Sequence, residues 1–425
     1  MMKKLIIILI LMPVAAIARE ITLEECLDKA HENFPKIKQL ALRDSLLQLQ
    51  ISNIEADYLP EISLFGEASY QSDVTKIDIE LPQPGQSIAG PTIPKDQYSL
   101  GINVNQVIWD GGMVPARKSL ETAMNEVEKA AVEVDLYSLK EKVAAAYFGI
   151  LLIDKSIENI KEIKKDLEKK RDEIKSAVEN GMVIESNLQI IEAEIINLEK
   201  SIIELEIQRR SSIGSLELLC NEKFGDDPQF SLPVSDFEKE SGSYRPEYAL
   251  FDMQKQQLDE AKQVNSAVYT PKFFAYGQGL FARPGFDMFQ SDFKPYYKIG
   301  VRASWSIWSR GNYARDDEKY EVTKLIVESN REAFSLNQDI ALEQQKEKIE
   351  GMKEIIEKDM KAIELRSKIV EQSSTQLEAG YITSSVYVEE FNKKAIAIIE
   401  LDKHKIELEQ AKVNYMIQSG NIKFK

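Results

Sequence analysis

The 425 residues hold two histidines, His31 and His404, and two cysteines, Cys26 and Cys220. Imidazole and thiolate are the usual zinc ligands, and imidazole is the usual proton carrier near neutral pH. So small an inventory leaves little for metal or acid–base chemistry. Two cysteines are too few for a disulfide framework, and their spacing does not encode whether they pair. Gly277-Gln278-Gly279 begins like a dinucleotide fingerprint but lies in a strand-like run. It lacks the third glycine and the helix that should follow. Carboxylates are plentiful: 70 acidic against 54 basic residues give a formal charge of -16 and a pI near 4.9. A duplex nucleic-acid partner would need a basic face to neutralise phosphates, so that class is disfavoured. With 43% hydrophobic residues and a mean hydropathy of -0.31, the chain is neither disordered nor a polytopic helical membrane protein. An ordinary hydrolase or metalloenzyme is a poor fit, and the function has to be sought in the architecture.

The first residues set the compartment. Met1-Met2-Lys3-Lys4 leads into an apolar run from Leu5 to Ala18 that ends in Ala16-Ile17-Ala18, a small-x-small cleavage site. Residues 1–18 are therefore expected to be a secretory signal peptide, too short to span a bilayer as a helix. Position 19 is Arg19 rather than cysteine, so a lipid-anchored N-terminus is not indicated. Later apolar stretches are short or broken by charges. If the protein enters a membrane, it must do so as β-strands, the other structure that satisfies backbone hydrogen bonds in lipid.

An internal repeat organises the rest. Phe34-Pro35-Lys36-Ile37 aligns with Arg245-Pro246-Glu247-Tyr248, and Pro60 with Pro271, at an offset of 211. Gly101-Ile102 through Ile108-Trp109 aligns with Gly300-Val301 through Ile307-Trp308, and Gly181 with Gly380, at an offset of 199. One longer loop between Tyr70 and Tyr98 accounts for the difference. The first repeat (19–220) is expected to hold a helix over about 36–58 and strands over about 61–70 and 98–109. A long helix over about 113–179 and a return helix over about 185–219 complete it. An inter-repeat equatorial segment (221–245) leads to the second repeat (246–420). That repeat has a helix over about 246–268, strands over about 272–282 and 296–308, and helices over about 313–378 and 386–418. A short tail (421–425) ends the chain.

The long helices carry heptads. Leu136, Leu139, Val143, Ala146, Ile150, Ile153, Ile157 and Ile160 are spaced alternately three and four apart. Ile349, Met352, Ile356, Ile363, Val370 and Leu377 keep that register one repeat later, as coiled-coil packing requires. His404 falls on such a stripe with Leu401, Leu408, Ala411 and Tyr415, which favours interhelical packing over metal binding. The strands alternate instead. Ile62, Leu64, Ala68 and Tyr70 interleave with Glu61, Ser63, Glu67 and Ser69. Ile299, Val301, Ala303, Trp305 and Ile307 interleave with Lys298, Gly300, Arg302, Ser304 and Ser306. Ten-residue segments with one apolar and one polar face have the outer-membrane barrel pattern. Four strands cannot close a barrel and open edges are forbidden in lipid, so several copies must combine. Three copies would give twelve strands and a polar lumen.

Taken together, the signal peptide, the duplicated helix–strand–strand–long helix–helix unit, the prolines before the first strands and Ala379-Gly380-Tyr381-Ile382-Thr383 resemble the TolC-type outer-membrane efflux protein family. The terminal Ala411-Lys412-Val413-Asn414-Tyr415-Met416-Ile417 is similar to that family's last helix. The resemblance spans essentially the whole mature chain. It implies a mostly α protein with a β-barrel part: a homotrimer with a twelve-stranded barrel in outer-membrane lipid, continued by a periplasmic α-helical coiled-coil tube. The tips would dock on a periplasmic adaptor (membrane fusion) protein, linked to an inner-membrane transporter of the RND, ABC or a similar type. No enzyme activity, cofactor, metal or nucleic acid is implied.

The resemblance also suggests sites. Family members place acidic residues six and nine positions after the tip glycine; here these are Val386 and Glu389. Glu389 is the candidate for a periplasmic gate ring, and one exposed helix glutamate among many is the plainer reading. Gly181, Gly380 and Thr383 mark the turns expected to meet the adaptor. The charged lock of some members is missing, because Ile382 and Asn187 stand at its positions; Tyr381 and Tyr387 are alternative gate contacts. Strand parity makes Trp305 a bilayer-interface aromatic and assigns Trp109 and Trp308 to packing. A periplasmic coiled-coil adaptor or scaffold is the competing reading, but it does not explain paired amphipathic strands. Drug efflux, metal efflux and protein secretion all fit.

Overall fold

The computed structural model describes residues 20–75, 78–80, 87–90, 92–234 and 244–422. The expected signal peptide over 1–18, part of the 221–245 segment and the last residues of the tail lie outside them.

In chain order the elements are β1 (Glu20–Ile21), α1 (Leu23–Asn33), α2 (Ile37–Glu55) and β2 (Glu61–Tyr70), then β3 (Asp78–Glu80), β4 (Ser87–Ala89) and β5 (Asp96–Trp109). There follow α3 (Met113–Glu179), α4 (Glu185–Cys220), β6 (Gln229–Phe230), α5 (Pro246–Val268), β7 (Lys272–Arg283), β8 (Lys294–Ser304), α6 (Asn312–Glu378) and α7 (Ser384–Ser419). The α3 and α6 helices each run 67 residues, about 100 Å at a rise near 1.5 Å per residue. No described helix is long and apolar enough to cross a membrane.

The chain divides into two compact units. One holds residues up to Lys38, Val132–Tyr248 and Glu332 onward, and is helical apart from a short parallel ladder between β1 and β6. Its first core gathers Leu23, Cys26, Leu139, Val143, Tyr147, Phe148, Leu216, Cys220, Val413 and Ile417. The heptad residues Leu136, Leu139, Val143 and Ile150 are buried, whereas Ala146 is half-buried. Tyr147, itself fully buried, donates its hydroxyl to the carbonyls of Ile21 and Ser231, both at 2.7 Å. That contact fastens the strand pair to α3. A second core joins Leu167, Ile174, Ile191, Val370, Leu377, Tyr387 and Phe391 beneath the α3–α4 and α6–α7 turns.

Residues 20–35 carry no sustained period, yet they form β1 and α1. Thr22 caps α1 there, its hydroxyl accepting from the Glu25 N–H at 3.2 Å, with Glu24 and Glu25 in the first turn. Thr22-x-x-Glu25 is a capping-box pattern and could have announced the helix.

The other unit holds Gln39–Ala131 and Ala249–Arg331. Its centre is a four-stranded antiparallel sheet in the order β2-β5-β7-β8. The loop expected between Tyr70 and Tyr98 contains the small β3–β4 hairpin. Around the sheet, Lys255 pairs with Glu328 and Lys262 with Glu321, holding α5 to α6.

Candidate functional site

Register decides which side chains share a face of the sheet. Ile62 lies opposite Val104 and Leu64 opposite Ile102. Ile102 in turn faces Gly279, Gly279 faces Tyr297, and Gly277 faces Ile299. Directly opposed residues point the same way, so these residues form one apolar face. It is open: Ile62, Leu64, Tyr297, Ile299 and Val301 are each 70–79% exposed. Burying five such side chains would be worth on the order of 10 kcal/mol. The opposite face carries Glu61, Glu67, Asn103, Gln278, Lys298 and Arg302. On it, Gln278 donates to Asn103 at 2.9 Å, and Tyr276 has Arg302 5.3 Å from its ring centre. Phe65 and Tyr276 lie over Gly101 and Gly300, where an added Cβ would come within 3.0 Å of either ring. Among the described residues, β2 and β8 each have a partner on one side only.

All three tryptophans depart from simple parity. A bulge between Val107 and Trp109 puts Trp109 opposite Phe273, on the apolar face, with the rings 5.9 Å apart. Counting parity gave it the other face; one extra residue reverses the alternation. β8 stops at Ser304, short of the expected 308, because its last pair is with Lys272, the first residue of β7 after Pro271. Trp305 therefore lies just past the strand, 58% exposed, donating its indole N–H to the Tyr269 carbonyl at 3.0 Å. Trp308, expected to pack, is 81% exposed.

The strand-to-helix junction is held by Asp110, which is buried. Its carboxylate accepts from the N–H groups of Gly112 at 2.9 Å and Val114 at 2.5 Å, and from the Tyr58 hydroxyl at 2.8 Å. These bonds satisfy orphan donors at the start of α3. Burial pushes the Asp110 carboxyl upward, but the hydrogen bonds outweigh it and hold the group below the usual carboxylate range.

At the far ends of α3 and α6 the same turn appears twice. Gly181 (φ +70) and Gly380 (φ +74) occupy the left-handed region that terminates each helix. Met182 donates to the Ala177 carbonyl and Gly181 to that of Val178, both at 2.9 Å. Tyr381 donates to Gln376 at 2.9 Å and Gly380 to Leu377 at 3.1 Å. Both are Schellman closures, which need a residue that tolerates positive φ at little cost. Thr383 precedes α7 without a side-chain cap; its carbonyl accepts from Tyr387 at 3.2 Å. Met182, Ile184 and Tyr381 are exposed around the turns. Asn187, at a position of the missing lock, accepts from the Ser384 N–H at 3.1 Å and so ties the two tips together.

Glu389 is exposed and ion-paired with Lys393 at 2.7 Å. Tyr387 is buried, stacked on Phe391, with Lys170 5.6 Å over its ring. Tyr381 points into solvent at 83% exposure. Sequence reasoning missed Lys170, a nearly buried ammonium that reaches Glu173, Ser374 and Glu378, each at 2.8 Å. Its hydrogen bond holds the Glu378 carboxyl low. His404, expected simply to pack, bonds Asp359 through Nδ1 at 2.6 Å, a polar link between α6 and α7. Among the described residues, no group of three or more His, Cys, Asp and Glu could hold a metal ion.

A four-stranded sheet with one apolar and one polar face, together with paired helices of this length, is a fold shared with solved outer-membrane channel proteins. The chain is similar to the outer membrane protein VceC from Vibrio cholerae, at 11% identity over 94% of this chain and 96% of that one, with a TM-score of 0.65. It is similar to CusC at 12% identity, covering 94% and 92% of the two chains, with a TM-score of 0.66. It is similar, too, to the CmeC outer membrane channel of Campylobacter jejuni at 14% identity, covering 94% and 85%, with a TM-score of 0.63. At such identities the likeness is one of fold. No protein-family model and no curated protein matches the sequence.

Proposed function

We propose that this chain is the outer-membrane exit duct of a tripartite efflux or type I secretion system. In this reading it is a passive homotrimeric channel, exported by a signal peptide over residues 1–18. The observation that carries the reading is the open sheet, with large apolar side chains exposed on one face and, among the described residues, an edge strand on each side with no further partner. Lipid is the medium in which such a face is stable, and closure with further copies is what its edges need. Two copies would give eight strands, whose interior side chains fill. The polar face carries Phe65, Tyr276, Lys298 and Arg302, long side chains that favour the wider lumen of three copies and twelve strands. Charge favours one seam: Lys294, Lys298 and Arg302 on β8 face the same side as Glu61 and Glu67 on β2, so β8 of one copy complements β2 of the next.

Internal duplication is supported by three like pairs at the expected offsets. Phe65 lies on Gly101 as Tyr276 lies on Gly300. Asp110 accepts from Val114 as the Ser309 hydroxyl accepts from Tyr313 at 3.4 Å. The Gly181 and Gly380 turns close alike.

The long helices would continue the pore as a periplasmic coiled-coil tube. Exposed Leu336, Ile340 and Leu365 on α6 supply apolar surface for a neighbouring copy. Gly181, Gly380 and Thr383 would present the tips to a periplasmic adaptor, and an inner-membrane transporter would supply the energy. Trp305 would sit at the bilayer interface. Glu389 from three copies would form a cation-favouring ring, its charge moderated by Lys393.

Conductance of the purified protein in a planar bilayer tests the channel reading. A stable ohmic pore is expected, and Glu389→Gln is expected to lower cation over anion permeability; unchanged selectivity would remove the ring. A soluble periplasmic protein that never conducts would instead be the adaptor or scaffold.

A further inference from the structure

The two cysteines lie 194 positions apart in sequence, one in α1 and the other the last residue of α4. Chain topology nevertheless brings them into contact. The Cys220 thiol donates to the Cys26 carbonyl at 3.5 Å, and both cysteines belong to the same buried core. Both are buried, at 1% and 0% exposure, and free in the structure. The surrounding contacts hold the same two segments together. The Asn33 amide donates to the Cys220 carbonyl at 3.0 Å, and Lys29 pairs with Glu222 at 3.0 Å. A chain with two cysteines that folds them side by side has either placed two inert apolar thiols in one core or built a cross-link. The compartment decides between these, because buried adjacent thiols exposed to an oxidising space during folding are in position to pair.

We propose that Cys26 and Cys220 form a disulfide in the exported protein, stapling the first helix to the end of α4. The inference rests on the export reading given above. The reaction is thiol–disulfide exchange with an exported dithiol oxidase. One cysteine thiolate attacks the oxidase disulfide to give a mixed disulfide, and the second displaces the oxidase. One sulfur–sulfur bond forms between Cys26 and Cys220 while one breaks in the oxidase. Two protons and two electrons leave the chain, and the oxidase departs as its dithiol. The bond forms before the core closes, and burial then shields it from small reductants.

The test counts thiols on protein recovered from cell envelopes. The sample is quenched in acid, denatured and treated with N-ethylmaleimide with and without prior reduction, then weighed intact. No adduct without reduction and two adducts after it are expected. Two adducts without reduction would overturn the proposal, as would one, which would mean a mixed disulfide with another thiol. A second measurement compares melting with and without reductant. Reductant should lower the transition of the wild type by several degrees and leave that of the C26S/C220S double variant unmoved; equal shifts would also overturn it. Fractionation of the same envelopes keeps the readings apart. Recovery in the soluble periplasm would sink the channel while the thiol count still decided the disulfide.

Discussion

Exchanging two adjacent residues at the centre of β8 tests the assignment of faces without altering composition. Ile299 is the sixth of eleven residues in Lys294–Ser304, sits opposite Gly277 and is 77% exposed on the apolar face. Lys298, its neighbour, belongs to the polar face. The double variant Lys298→Ile with Ile299→Lys places an ammonium at mid-strand on the face assigned to lipid. A lysine at the bilayer midplane of a barrel costs about 2–4 kcal/mol. Three copies in one closed barrel would therefore lose roughly 6–12 kcal/mol. Even the single-copy cost is roughly 30- to 900-fold in an insertion equilibrium. The assay is the yield of detergent-extracted oligomer from outer membranes and its heat-dissociation temperature. Lys298→Ile alone is the control: it leaves the lipid face untouched and keeps Lys294 and Arg302 at the seam, so it should still assemble. The swap should fail to accumulate as oligomer. Wild-type yield and dissociation temperature for the swap would refute the face assignment, and with it the barrel.

Asp110→Asn keeps one acceptor oxygen but offers an amide to the donors around it, and should cost about 1–2 kcal/mol. Because the folded carboxyl titrates below its unfolded value, its contribution is present above about pH 4 and lost as pH falls through the folded pKa. The gap in dissociation temperature between wild type and Asn should therefore be full at pH 7 and shrink in acid. Tyr147→Phe removes the hydroxyl shared by Ile21 and Ser231 and should cost about 1–2 kcal/mol; hydrogen exchange should speed up at the β1–β6 ladder while the tips stay unchanged. Lys170→Ala should loosen the tip locally, read as faster exchange in the 374–391 segment. Its partners Glu173 and Glu378 are about 60% exposed and rehydrate on its removal, so the ion-pair part of the loss should stay near 1 kcal/mol or less.

The extents of α3 (Met113–Glu179) and α5 (Pro246–Val268) have local signals: heptads and the glycines Gly112 and Gly181 mark α3, while Pro246 and Pro271 bracket α5. β2 and β5 stand out through alternation of apolar and polar residues, which holds over most of each strand. Local geometry that breaks a period was hidden. The bulge before Trp109 needs one residue too many between partners, which no count along one strand reveals. The early end of β8 is set by where β7 begins. Contacts that depend on helix pairing, such as Lys170 with Glu378 and Asn187 with Ser384, join residues about 200 positions apart, and neither side carries a local motif. The cysteine pair belongs with them. By contrast, α1 has a local signal in Thr22-x-x-Glu25, although its eleven residues are too few for a sustained period.

Barrel closure by three copies is the central claim, and the mass of the detergent-extracted outer-membrane protein, with bound detergent subtracted, tests it most directly. A protein mass three times that of the mature chain is expected, since each copy brings four strands and two open edges. A monomer or dimer that stays soluble without detergent would mean that the apolar face of β2, β5, β7 and β8 never meets lipid, and would contradict the channel.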